Sequence, residues 1–251
     1  MHMGMTIEEY AMEQVYEDLH HKAVLHQATL DQCIYVFVEG ESEEVAFPIL
    51  LERAGVKLKK DGIFISSYNG INNLPHVLRL MGQTLSYDRP IIITYDNDLD
   101  GQRISRKISQ YTVNSNHIAL LTIPSHNIVT YKNGHQGGSF EEAFDPVHFI
   151  NVCFTKAFMP QHIAVQKQQF LIDFDVNKPW LSQVCEFCKI NGYMDFGSCK
   201  VKLAEKLALS CPTLPSSFTD LASLIVKTRK DNPIKHPDDV DLPRISGITC
   251  K

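Results

Sequence analysis

Apolar residues along this chain gather into short runs, each followed by a longer stretch in which they recur at about helical spacing. Ile34-Tyr35-Val36-Phe37-Val38 has the length and the β-branched and aromatic content of a buried strand, and it stops at Glu39-Gly40. The stretch after it, ESEEVAFPILLERAG, repeats Val45, Ile49 and Leu50 near helical spacing up to Gly55. Gly62–Ser66, Pro90–Tyr95 and His117–Leu121 are three further strand-like runs. Between them, Ile71–Leu85 carries Leu74, Val77, Leu78 and Met81 at helical spacing, and Gly101–Tyr111 predicts another helix. Strands alternating with helices imply right-handed crossovers, hence an α/β fold with a mostly parallel four-stranded sheet flanked by helices. Ligands then belong at the carboxyl ends of the strands.

The pattern changes on either side of this region. Thr6 to Gln27 reads as a polar, amphipathic helix leading into the first strand. Pro124–Gly138 is a polar loop long enough to predict a working segment rather than a plain connection. Helical signals resume at Ser139–Phe144, Pro179–Ile190 and Lys200–Leu209, and the tail from Lys227 is expected to be irregular. Three regions follow: residues 1–30, a helix that could dock on a partner; 31–150, the α/β domain; and 151–251, a mainly helical extension.

At 251 residues and 44% apolar content the chain can bury a full core. Its net charge of -5 gives no global attraction to nucleic acid, so such a partner needs a local basic surface or bound cations. No run of 18 apolar residues occurs, and the opening MHMGMTIEEY lacks a signal pattern, which predicts a soluble, cytoplasmic protein with no membrane partner. Seven cysteines, an odd number, fit a reducing compartment. Cys185-x-x-Cys188 with Cys199 and Cys211 makes a four-thiolate zinc site conceivable, but the second pair lacks the short spacing and buried thiols are the preferred reading.

The candidate chemistry is acidic. Glu39 closes the first strand, and Glu43 lies four residues on, so both carboxylates can face one point if a helix starts at Gly40. Asp96 and Asp98 end the third strand and, two apart in extended chain, point to the same side. Four carboxylates gathered there would repel unless a cation neutralised them, and oxygen-only ligation selects Mg²⁺ or Mn²⁺. Asp98, as the third position of a DxDxDG run, also suggests a calcium loop, but Lys107 stands where that loop needs glutamate.

An apolar strand ending in Glu-Gly, a helix, and a later strand ending in Asp-x-Asp resembles the Toprim domain of topoisomerases, primases and several nucleases. VEGESEE narrows the resemblance to the overcoming-lysogenization-defect (OLD) nucleases, over about Cys33 to Leu121 and more weakly beyond. Gly138-Ser139-Phe140-Glu141 is similar to the Ser-x-Glu element of those nucleases, although Ser139 to Glu142 also spells a helix capping box. Ser198-Cys199-Lys200-Val201-Lys202 looks like their lysine-bearing helix start, with Lys200 favoured over Lys202.

The resemblance implies an endonuclease in which two divalent ions activate a water and stabilise the leaving oxygen. It implies Glu39, Glu43, Asp96, Asp98 and Glu141 as metal ligands, Ser139 as a ligand or orienting group, and Lys200 as the group that offsets charge on the phosphate. Glu39 and Lys200 are then the candidate catalytic residues, and Asp100 a structural acid. His126, Lys132 and His135, in the polar loop, are candidate substrate contacts. DNA is the expected substrate. The best-known relatives carry an ABC-type ATPase ahead of the Toprim domain, whereas this chain has no GxxxxGK[ST] loop, so a separate ATPase subunit in an antiviral defence system is expected. The alternatives are an RNA-processing nuclease and a catalytically weak, metal-holding subunit of a regulated complex. A homo-oligomer is compatible with the sequence.

Overall fold

A computed structural model describes residues 32–84, 89–112 and 118–235. The expected N-terminal helix lies outside these residues. Four strands, β1 (Ile34–Val38), β2 (Ile63–Ser67), β3 (Ile91–Asp96) and β4 (Ile118–Ile123), form one parallel sheet in the order β2-β1-β3-β4. Helices α1 (Glu41–Arg53), α2 (Leu74–Thr84) and α3 (Leu99–Thr112) make the crossovers. The register pairs Phe37 with Ile93 and Asp96 with Ile123, so β1 and β3 run side by side at the centre and end at the same edge.

Alternating side chains divide the strands between two cores. On one face Ile34, Val36, Val38 and Ile92 pack under α1 and helices from the second half of the chain. On the other, Phe37, Ile91 and Ile93 meet Tyr68, Ile71, Leu74, Ile104 and Ile108.

After β4 the chain forms a small antiparallel hairpin, β5 (Val129–Thr130) and β6 (Gln136–Gly137), within the polar stretch expected to be a working loop without strands. A 3₁₀ turn at Phe140–Ala143 stands where a helix was expected. Helices α4 (Pro146–Cys153), α5 (Gln161–Ala164), α6 (Lys167–Asp173), α7 (Trp180–Ile190), α8 (Lys200–Ser210) and α9 (Ser216–Asp231) follow. The first three were not expected, although Asp145 caps α4 by accepting the His148 N–H at 2.8 Å, with Pro146 at the first helical position. Lys227–Asp231 is also helical rather than irregular. The α9 residues Phe218, Leu221, Ala222 and Ile225 bury a face at helical spacing, and that packing carries the helix through its charged last turn.

Helices α1 and α8 pack along each other, burying Ala46, Phe47, Leu50 and Leu51 of one and Leu203, Ala204, Leu207 and Ala208 of the other. Arg53, at the end of α1, donates to the Ala208 and Cys211 carbonyls at 2.8 and 2.7 Å, near the end of α8. The two helices therefore run parallel, and the start of α8 lies beside the start of α1. At the opposite end of the molecule, Gln32 and Lys235 exchange two hydrogen bonds of 2.7 and 2.8 Å.

Candidate functional site

The carboxyl edge of β1 and β3 brings Glu39 and Asp96 into contact: the Asp96 N–H donates to Glu39 Oε2 at 3.3 Å. Three more carboxylates are fixed in the same way, each by a backbone donor on one oxygen. Glu43 Oε2 accepts the Gly40 N–H at 3.0 Å, Asp96 Oδ1 the Phe140 N–H at 3.0 Å, and Asp98 Oδ1 the Gly101 N–H at 2.7 Å. Gly101 is required sterically, because a Cβ there would lie 2.1 Å from the Asp96 carbonyl oxygen.

Ser139 and Glu141 arrive from the 3₁₀ turn. The Ser139 hydroxyl lies 3.1 Å from Glu141 Oε2 and 2.6 Å from Glu142 Oε2. Glu142 is the capping residue, accepting the Ser139 N–H at 2.7 Å, and its other oxygen accepts the Trp180 N–H at 2.7 Å. It is 1% exposed and fastens the turn to the start of α7. Glu141 is left as the acid of this turn that acts on the cluster.

The electrostatics confirm that these acids share one environment. Burial raises the Glu39 carboxyl above its usual range; the Asp96 N–H opposes the shift, Asp98 and Asp100 add to it, and Lys200 opposes it. Burial pushes Glu43 up to about 7, its hydrogen bonds working against the shift and Glu141 and Glu39 with it. Asp96 is raised well above the carboxylate range, first by burial and then by Glu43, Glu39, Glu141 and Asp98. Burial also raises Glu142, against its three hydrogen bonds. Lys200, at the first turn of α8, is the cation that acts on Glu39, as the parallel packing of α1 and α8 requires.

Not every candidate joins the cluster. Lys202, two residues on from Lys200, projects from a different side of α8, Asp100 acts on Glu39 only from a distance while pairing with Arg103 at 3.1 Å, and Glu44 accepts from Ser67 at 2.7 Å. His126 lies 3.4 Å from the Ser125 hydroxyl, which faces Ser217 and Asp220 of α9. In the basic run at the end of α9, Arg229 spends its guanidinium on the carbonyls of Asp61, Asn232, Gln32 and Gly62, which removes it from phosphate binding. Cys199 and Cys211 flank α8, so roughly 16 Å of helix separates them and one zinc ion cannot take both.

The polar loop supplies what the sequence did not reveal. Asn97, between the two aspartates, is 6% exposed; its amide donates to Asn127 at 3.0 Å and accepts from Gln102 at 3.0 Å, while its carbonyl accepts the Gly138 N–H at 3.0 Å. The hairpin is thereby fastened directly to the Asp-x-Asp segment. Gly137 approaches so closely that a Cβ would lie 1.6 Å from the Asn97 carbonyl oxygen. The hairpin brings Tyr131 within electrostatic range of Glu142, Asp96, Asp98 and Glu141, and its hydroxyl is raised by burial and by those acids, so it remains a proton donor. An aromatic residue within a polar loop was the available signal for Tyr131; the amide network had none.

Five acids thus each present oxygen, and burial together with their mutual repulsion raises Glu39, Glu43 and Asp96 above their usual range. This donor set fits a hard divalent cation. Among the described residues, no three His, Cys, Asp or Glu side chains stand close enough to hold a metal ion.

Residues 34–98 match the model of the family described as overcoming lysogenization defect protein-like, TOPRIM domain. No curated protein matches this chain. Among solved structures, the C-terminal region of the Xanthomonas campestris pv. campestris OLD protein is similar at a TM-score of 0.47 and 17% identity, over 79% of this chain and 96% of that one. The C-terminal region of the Burkholderia pseudomallei OLD protein is similar at 0.44 and 15%, over 77% and 98%. Residues 34–98 are an OLD-like Toprim domain, which is consistent with a nuclease-type role; domains of this kind generally bind divalent metals such as Mg²⁺.

Proposed function

We propose that this protein is a divalent-metal-dependent nuclease that hydrolyses phosphodiester bonds, with DNA as its substrate. The observation that carries the reading is the convergence of Glu39, Glu43, Asp96, Asp98 and Glu141 at the shared edge of two central strands, an arrangement of like charges that costs stability and calls for a cation. These five acids would hold Mg²⁺ or Mn²⁺, and Ser139 would orient Glu141. Two bound ions would supply activation of a water and stabilisation of the leaving oxygen.

The remaining chemistry belongs to the chain itself. Lys200 would neutralise charge on the phosphate and on Glu39, and the Tyr131 hydroxyl offers a neutral donor within electrostatic range of the acids. Backbone N–H donors fix one oxygen of Glu39, Glu43, Asp96 and Asp98, the Ser139 hydroxyl meets one oxygen of Glu141, and the other oxygens are left for ligation. On this reading residues 31–150 carry the acids and 151–251 complete the site through Lys200. A separate ATPase partner and a role in antiviral defence extend the reading.

The test is cleavage of supercoiled plasmid, linear DNA and structured RNA by the purified protein in Mg²⁺, Mn²⁺ or EDTA. Glu39→Gln is expected to lower metal-dependent cleavage by more than about 100-fold, beyond the effect usual for a residue outside the ligand set. Equal cleavage by a folded Glu39→Gln protein overturns the assignment. Cleavage of RNA alone assigns the site to RNA processing, and metal binding without cleavage assigns the chain to a regulated complex.

A further inference from the structure

The hairpin next to the acids ends in a pair of stacked rings. Tyr131 and His135 lie with centroids 5.9 Å apart and planes 27° from parallel, closed by the Tyr131 N–H to His135 O bond of 2.8 Å and the Gly134 N–H to Tyr131 O bond of 2.8 Å. Tyr131 packs against the main core, so His135 is the outer ring of the pair and is half-buried. Its Nε2 is buried against Gly137 without a hydrogen-bond partner, so packing and the stack hold the ring. Lys132, between the two rings in sequence, is exposed and makes no ion pair among the described residues. The whole unit is braced by Asn97, by Gly137 and by the Thr130 N–H to Asn177 O bond of 2.7 Å, so its position relative to Asp96 and Asp98 is fixed.

We propose that this hairpin is a stacking platform for an unpaired nucleotide, with the outer face of His135 carrying the base, Lys132 meeting a flanking phosphate, and the adjoining phosphodiester lying over the acids. The chemistry favours this ligand. Base–aromatic stacking needs a rigidly supported ring with part of its surface accessible, as the half-buried His135 has, and a base free of its duplex, and it does not depend on sequence. A paired duplex presents only phosphate and groove edges to such a ring. The proposal rests on the nuclease reading for the placement of the scissile bond, but the platform itself is a binding site and is testable without turnover.

The experiment measures fluorescence anisotropy of labelled thymidine and uridine oligomers, a thymidine oligomer with one abasic position, and a matched duplex, all in Ca²⁺, with cleavage in Mg²⁺ followed in parallel. Wild-type protein is expected to bind the unpaired oligomers more tightly than the duplex and to lose affinity at the abasic position. His135→Ala is expected to weaken unpaired binding about tenfold and leave duplex binding unchanged, while His135→Phe, which keeps the ring, restores it. Lys132→Ala should weaken all oligomers alike and lower the salt dependence. The thymidine and uridine arms show which sugar is accepted. Equal affinity for paired and unpaired strands, or an unaltered His135→Ala protein, overturns the platform. If the stacking pattern holds but nothing is cleaved, the nuclease reading falls and the platform stands. If cleavage occurs with His135→Ala unaltered, the platform falls and the nuclease reading stands. If no oligomer binds, both fall.

Discussion

The two faces of the sheet differ in where along the chain their partners come from. The face of Phe37, Ile91 and Ile93 is covered by residues between Tyr68 and Ile108, within the α/β region itself. The face of Ile34, Val36, Val38 and Ile92 is covered by α1 and by residues from Phe140 to Ile225, brought back from far along the chain. The first face shapes the sheet, and the second delivers Ser139, Glu141 and Lys200 to its edge. Folding of the distant half and assembly of the site are therefore one event on one face and largely separate events on the other.

A pair of truncations tests this contrast most strongly. Phe140 packs against Phe47, Phe144 and Phe218, and its N–H holds Asp96. Phe140→Ala is expected to cost about 3–5 kcal/mol in denaturant unfolding and to abolish cleavage even in the folded fraction. Ile108→Ala, on the other face, should cost about 2–4 kcal/mol and leave cleavage by folded protein nearly intact. Equal loss of activity in the two would show that the faces do not divide the work.

Glu142→Ala addresses the bolt between the 3₁₀ turn and α7. It strands the Ser139 and Trp180 N–H groups, so a loss of about 1–3 kcal/mol is expected. Trp180 is the sole tryptophan of the chain, so its fluorescence reports this site directly. An unchanged emission spectrum and unchanged stability would show that the turn is held by the aromatic packing alone.

The smallest effect is a pH slope. Glu43 titrates near 7 in the fold, above its ordinary range, so its contribution to stability is present in acid and is lost as pH rises through about 7. Metal-free protein should be less stable to unfolding above that pH than below it, by about 1 kcal/mol after solvent screening, and should melt at a correspondingly lower temperature. Glu43→Gln should flatten the slope, and a divalent cation should reverse it, because the ion competes with the protons. A slope identical in wild type and Glu43→Gln would place the raised acid elsewhere in the cluster.

The same contrast explains what the sequence made legible. Strands β1 to β4 and the acids Glu39, Glu43, Asp96 and Asp98 could be read because each is a local pattern: an apolar run, then a polar stop at the carboxyl end. Lys200 was found through a family motif, and its delivery depends on the parallel packing of α1 and α8, which no local pattern encodes. Helices α5 and α6 are too short to show a period, and α9 was masked by the charges of its last turn. The Asn97 network is likewise a tertiary fact, since Asn127 and Gln102 mean nothing together until the hairpin docks.

The paired bonds between Gln32 and Lys235 have a practical consequence. They close the described fold into a near loop of connectivity at the amino end of the sheet, about 16 Å of strand away from the acids. A label or support attached to the side chain of either residue would sit at the pole facing away from the acids, leaving the acidic edge open to long polymers.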